Sequence, residues 1–191
     1  MQLRPHQQTA LDVMQKHSKG QIIVPTGGGK TLVAINDAMC QLEDGWKTIV
    51  VVAPRILLAD QLSSEFLEVI REKYQFIQVM HVHSGETPHF STTKVDLIEE
   101  WMNSCKGNKI IFTTYHSLHR LQEADIEVDT IYFDEAHNSV QSNFIESVEF
   151  FSHILILYQH LFHLLLILSD RNLSPMNVCY HQQHLSPLLI L

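Results

Sequence analysis

The chain has 191 residues, 13 Lys+Arg against 21 Asp+Glu, a net charge of −8, 45% hydrophobic residues and 18% charged ones. That is enough apolar material for one packed domain and too little charge for a disordered chain, and the acidic balance argues against gripping nucleic acid by bulk positive charge. Three scattered cysteines, Cys40, Cys105 and Cys179, indicate neither a disulfide framework nor a zinc module, and the opening MQLRPHQQTA lacks a secretory signal, so a reduced cytoplasmic setting is expected.

In chain order, a helix over about Pro5 to His17, with Pro5 in its first turn, precedes a short β-branched run at Gln21–Val24. Four more such runs follow, at Thr48–Val52, Phe76–His81, Lys109–Thr113 and Thr130–Phe133, each suited to a buried strand. Helical spacing separates them. Ile35, Ala38, Met39 and Leu42 mark one apolar face, Leu58, Leu62, Phe66, Val69 and Ile70 a second, and Val95, Ile98, Trp101, Met102 and Cys105 a third. Strands alternating with helices predict an α/β fold with a parallel sheet covered on both faces, whose ligands bind at the carboxyl ends of the strands.

The first strand runs into Val24-Pro25-Thr26-Gly27-Gly28-Gly29-Lys30-Thr31 at a helix start. Three consecutive glycines let the backbone curl so that its N–H groups and the helix N-terminus form a pocket for phosphates, the pattern of a P-loop NTPase that binds ATP. Lys30 would reach the β- and γ-phosphates and the Thr31 hydroxyl would ligate Mg²⁺. The loop departs from the strict pattern, with Val24 where the first glycine usually stands. The last strand delivers two adjacent carboxylates in Asp134-Glu135-Ala136-His137, a DEAH box. Asp134 is placed to hold Mg²⁺, a hard ion wanting oxygen ligands, and Glu135 to polarise the water that attacks the γ-phosphate. These residues leave two classes open: an ATP-hydrolysing enzyme, or a non-catalytic nucleotide-binding module that switches a partner.

With those motifs in place, residues 3–147 resemble the N-terminal RecA-like domain of a superfamily 2 helicase, nearest in motif style to the helicase subunits of type III restriction enzymes. The resemblance implies an ATP-dependent motor on nucleic acid, with DNA favoured over RNA, needing a second RecA-like domain for full activity. Arg4-Pro5-His6-Gln7 is similar to the family's adenine-reading element, which assigns the adenine contact to Gln7. Pro54 and Arg55, Ser84 and Gly85, and Thr113 and Thr114 resemble its strand-end nucleic-acid contacts. His137 matches the residue that couples the nucleotide site to the next motif.

Composition changes near residue 152. All 7 Gly of the chain precede it, as do all of its Ala, Lys and Glu, whereas residues 153–191 are rich in Leu and His. The Ser/Thr-Ala-Thr motif expected after the DEAH strand is missing there. Residues 1–152 are therefore expected to form the ATP-binding domain, incomplete at its carboxyl side, and 153–191 an atypical tail. Three readings of that tail stand: translation out of frame, giving a truncated and non-functional product; a surrogate strand or helix at Ile154–Leu157 or Leu164–Leu168; or a poorly ordered end. A membrane anchor is disfavoured, because Ile154–Leu168 is short and interrupted by Gln159, His160 and His163.

Overall fold

The computed structural model describes residues 3–17, 20–25 and 27–151 in full, and the backbone of 155–159 and 188–190. Strands β1 (Gly20–Ile23), β2 (Thr48–Ala53), β3 (Gln78–Val82), β4 (Phe90–Ser91), β5 (Lys109–Thr114), β6 (Thr130–Phe133), β7 (Leu155–Gln159) and β8 (Leu188–Ile190) alternate with helices. The helices are α1 (Pro5–Met14), α2 (Lys30–Gln41), α3 (Ile56–Lys73), α4 (Val95–Ser104), α5 (Leu118–Glu123) and α6 (Ile145–Phe150). The strands form one sheet in the order β4-β3-β5-β2-β6-β7-β1-β8. Every pairing in it is parallel.

Central strand β2 shows why the sheet holds. All six residues of Thr-Ile-Val-Val-Val-Ala are buried, as a strand covered on both faces requires. Alternate residues enter opposite cores: Ile49, Val51 and Ala53 pack with α2 and α3 through Val33, Ala59 and Phe66, while Val50 and Val52 pack with Ile98, Leu118 and Val148 from α4, α5 and α6. Each fully buried aliphatic or aromatic side chain contributes roughly 1.5–3 kcal/mol. Phe66 meets the Phe112 ring edge-on at 5.8 Å, tying α3 to β5.

Three details differ from the sequence pattern. β3 starts at Gln78, and Phe76 stands 89% exposed, because α3 continues to Lys73 and the chain needs Tyr74–Ile77 to turn back to the sheet. β1 ends at Ile23, so Val24 is buried outside the strand. The two-residue β4 is too short to show a period. In the tail, the backbone of Leu155–Gln159 takes the strand position between β6 and β1. Ile154 and 160–187, including the alternative at Leu164–Leu168, lie outside the described residues. Among the described residues, no helix is long and apolar enough to cross a membrane.

Candidate functional site

The loop between β1 and α2 is shaped by contacts that only glycine permits. A Cβ on Gly28 would lie 2.3 Å from Val24 Cγ1 and 2.9 Å from the Pro25 carbonyl oxygen. Gly29 has φ +78°, and a Cβ there would lie 2.3 Å from Gln7 Nε2. The Gly28 amide donates to the Pro25 oxygen at 2.8 Å, so this N–H closes a turn within the loop instead of facing a ligand as the glycine run suggested. The electropositive feature that faces outward is the start of α2 at Lys30, where the macrodipole favours anions. Thr26 lies outside the described residues.

An unanticipated clamp holds the loop. Gln7 is buried; its Oε1 accepts from the Arg4 amide at 2.8 Å, and its Nε2 donates to the oxygens of Gly28 at 3.1 Å and Gly29 at 3.4 Å. His6 Nε2 donates to the same Gly28 oxygen at 3.0 Å. The start of α1 therefore fixes the glycine loop through two side chains. The role of His6 is invisible in sequence, where it is one polar residue on a helix start.

Across the sheet, β6 brings the carboxylates to the loop. Lys30 Nζ lies 2.8 Å from Asp134 Oδ1 and 2.7 Å from Glu135 Oε1. Thr31 and Asp134 line the same cleft, floored by Val51, Phe66 and Tyr132. Glu135 has φ 51° and ψ 56°, a left-handed conformation rare for a non-glycine residue and concentrated at functional sites. The Asp134 amide donates to the Val52 oxygen at 2.9 Å, and its carbonyl accepts from the Tyr115 hydroxyl at 3.0 Å. Burial pushes the Tyr115 phenol well above its usual range, with Asp134 and Glu135 adding to the effect, so it stays a donor. Two carboxylates and a threonine hydroxyl form an oxygen set suited to Mg²⁺, and the loop, cation and helix end suit a nucleotide's phosphates. His137 is half-exposed, with Nδ1 at 3.5 Å from Glu135 Oε2.

Behind the cleft, Asp37 of α2 is 1% exposed and accepts a 2.6 Å hydrogen bond from the Tyr132 hydroxyl through Oδ2, while Oδ1 has no hydrogen-bond partner among the described residues. Burial raises its pKa, and the Tyr132 bond opposes that only in part.

The strand-end loops are less uniform than their motifs suggest. Arg55 and Ser84 are exposed, and Pro54 and Gly85 are partly so. A Cβ on Gly85 would lie 2.4 Å from Ile56 Cγ2, so the loops after β2 and β3 pack against each other. Thr113, expected among the strand-end nucleic-acid contacts, is fully buried, and its Oγ1 donates to the Val82 oxygen at 2.9 Å, bracing β5 against β3. Thr114 is also buried, with Oγ1 at 3.4 Å from Ser117 Oγ. The residue of this stretch that reaches the cleft is Tyr115, through its bond to the Asp134 carbonyl.

The pattern of the ResIII family, "Type III restriction enzyme, res subunit", matches residues 1–161, nine residues past the composition break. Among solved structures, the chain is similar to a nuclease-deletion mutant of the Type ISP restriction-modification enzyme LlaGI in complex with a DNA substrate mimic. There the TM-score is 0.69 and the identity 24%, over 82% of this chain and 15% of that one. It is similar to the UvsW helicase from bacteriophage T4 with TM-score 0.61 and 14% identity, over 84% of this chain and 52% of that one. For the Hef helicase domain of Pyrococcus furiosus the values are 0.57 and 18%, over 92% and 34%. No curated protein matches it by sequence. The chain belongs to the ResIII family and has the RecA-like fold shared by the superfamily 2 helicases it resembles.

Proposed function

We propose that this domain hydrolyses ATP to drive a helicase or translocase, acting on DNA in preference to RNA. The observation that carries the reading is Lys30 held between Asp134 and Glu135, which gathers a phosphate-binding cation and two carboxylates at adjoining strand ends. Lys30 exchanges these partners for β- and γ-phosphate oxygens, Thr31 and Asp134 hold Mg²⁺, and Glu135 orients water for in-line attack and accepts its proton. Mg²⁺ held by Thr31 and Asp134 would supply neutralising charge to the transferring phosphoryl group. Gln7 reads adenine, and His137, beside Glu135, couples the site to nucleic acid. Arg55, Ser84 and the loop backbone at Pro54 and Gly85 contact the sugar-phosphate chain, with Thr113 and Thr114 shaping the adjoining edge. DNA is favoured because LlaGI is held with a DNA substrate mimic, and a second Type ISP restriction-modification enzyme of similar structure, LlaBIII, is bound to DNA.

Full turnover depends on a second RecA-like domain, since an arginine finger supplies about 10³–10⁵ in rate where measured. The purified chain is expected to bind ATP, turn it over slowly, and speed up with added DNA. Phosphate release that rises with single-stranded or duplex DNA and vanishes in Glu135→Gln supports this function. Nucleotide binding without any turnover, with or without nucleic acid, supports the non-catalytic switch instead. The composition of residues 153–191 supports a separate proposal, that this segment is read from a shifted frame. Translating the coding nucleotides after codon 152 in the other two frames either restores a Ser/Thr-Ala-Thr motif with a second domain or removes that idea.

A further inference from the structure

Away from the nucleotide cleft, β3 and α3 enclose a polar cluster within an apolar layer. His81 is in β3 and His83 is the first residue after it, and both side chains come against α3. Both are buried, at 1% and 2% exposed, and Asp60 and Ser63 approach them from the helix. Asp60 Oδ1 lies 3.4 Å from His81 Nδ1 and 3.4 Å from His83 Nε2, and these nitrogens are 2.9 Å apart. Among the described residues Asp60 Oδ1 is buried, and its nearest polar neighbours are these two nitrogens at 3.4 Å, too long for a well-formed hydrogen bond. A buried acceptor so poorly satisfied is costly, so this arrangement calls for a further group.

We propose that Asp60, His81 and His83 form a binding site for a divalent transition-metal ion, with Zn²⁺ the best fit. Tetrahedral zinc with bonds of about 2.0–2.1 Å places its ligand atoms roughly 3.3 Å from one another. Two of the three edges in this cluster are already 3.4 Å, and only the 2.9 Å His–His edge has to open. Two imidazoles and one carboxylate suit zinc, not the all-oxygen preference of Mg²⁺ or Ca²⁺. Ser63 Oγ lies 3.0 Å from His81 Nε2, where a ligating histidine needs a partner for its other nitrogen. The His89 ring stacks on His81 at 5.6 Å and closes the far side. Three protein ligands leave one position for water.

The site has a consequence for the neighbouring loop. The Gly85 amide donates to His83 Nδ1 at 3.1 Å, which in a neutral ring puts the proton on Nε2. Ligation through Nε2 requires that proton on Nδ1 instead, where it opposes the Gly85 N–H. Metal loading therefore displaces Gly85, which packs on Ile56 beside Arg55. The ion is tied to the loop after β3 through His83 and acts on the loop after β2 through the Gly85–Ile56 contact.

The test uses the full chain, stripped with a chelator and titrated with Zn²⁺ against a chromophoric competitor, then with Co²⁺ as a spectroscopic probe. One equivalent is expected to bind, with the visible bands of four-coordinate Co²⁺ and no thiolate charge-transfer band. Affinity should fall at least about tenfold in Asp60→Asn and in His83→Gln. Asp60 is partly exposed, so its variant tests the site even if the buried histidine variant fails to fold. The Gly85 amide resonance should shift on loading. No stoichiometric binding, a thiolate signature, or affinity unchanged in Asp60→Asn overturns the proposal.

Discussion

Lys30 Nζ and Glu135 Oε1 are 2.7 Å apart although 105 residues separate them in the chain. The cation suited to phosphate and the carboxylate suited to activating water neutralise each other, so nucleotide has to compete for Lys30. Glu135→Gln removes one competitor and the proposed base together. Turnover should fall by about 10²-fold or more, while nucleotide affinity is retained or tightens by up to about fivefold, from roughly 1 kcal/mol of lost competition. Fluorescent-nucleotide titration beside phosphate release checks both.

Gly29→Ala should disable the phosphate loop. Its φ of +78° costs a side chain about 1–2 kcal/mol, and the added Cβ meets Gln7 Nε2 at 2.3 Å. Nucleotide affinity is expected to drop at least about tenfold, by the same argument of loop displacement. Gly107→Ala is the control: its φ is +97° with nothing within 4 Å of the added Cβ, so it carries the backbone strain alone and should leave nucleotide binding intact. Equal binding losses in the two variants would contradict the role given to the Gln7 contact.

Tyr115→Phe deletes the hydroxyl that holds the Asp134 carbonyl. The expected loss of stability is about 1 kcal/mol, read by urea unfolding. A larger effect should be seen in turnover, because Asp134 and the left-handed Glu135 lose a restraint on their backbone. Unaltered turnover together with the expected stability loss would make the bond purely architectural.

Asp37 gives the fold a pH dependence of definite sign. Its native pKa is raised by burial, so the folded state holds its proton at pH values where the unfolded chain has released it. Stability from this group is full below the ordinary carboxylate range and is lost as pH rises through the raised native value. Denaturant unfolding of wild type and Asp37→Asn across pH 4 to 9 should show wild type losing ground to the variant as pH increases. A constant difference between them would contradict the raised pKa.

Much of this was legible in local sequence because the determinants are local. β2 and β6 are continuous apolar runs, β6 ends directly before Asp134 and Glu135, and Lys30 follows from the glycine loop after β1. What could not be read depends on tertiary approach. Thr113 has the composition of an outward hydroxyl but hydrogen-bonds Val82 of the neighbouring strand. His81 in β3 and His83 just after it read as ordinary residues of a strand and its end, and only the packing of α3 on β3 sets Asp60 against them. Phe76 reads as strand because its apolar character hides the end of α3 three residues earlier.

The placement of β7 makes the site mechanically dependent on a stretch of unusual composition. β1, which carries the phosphate loop, pairs among the described strands only with β7 and β8, and β6, which carries Asp134, pairs with β2 and β7. The ladder bonds that set the height of Lys30 relative to Asp134 therefore pass through Leu155–Gln159, like a single rung joining two halves of a frame. A slip of one residue along that rung would offset the two strand ends by about 3.3 Å, more than the length of the Lys30–Glu135 contact. The alignment of the nucleotide cleft is thus decided partly by five residues that bear none of its chemistry.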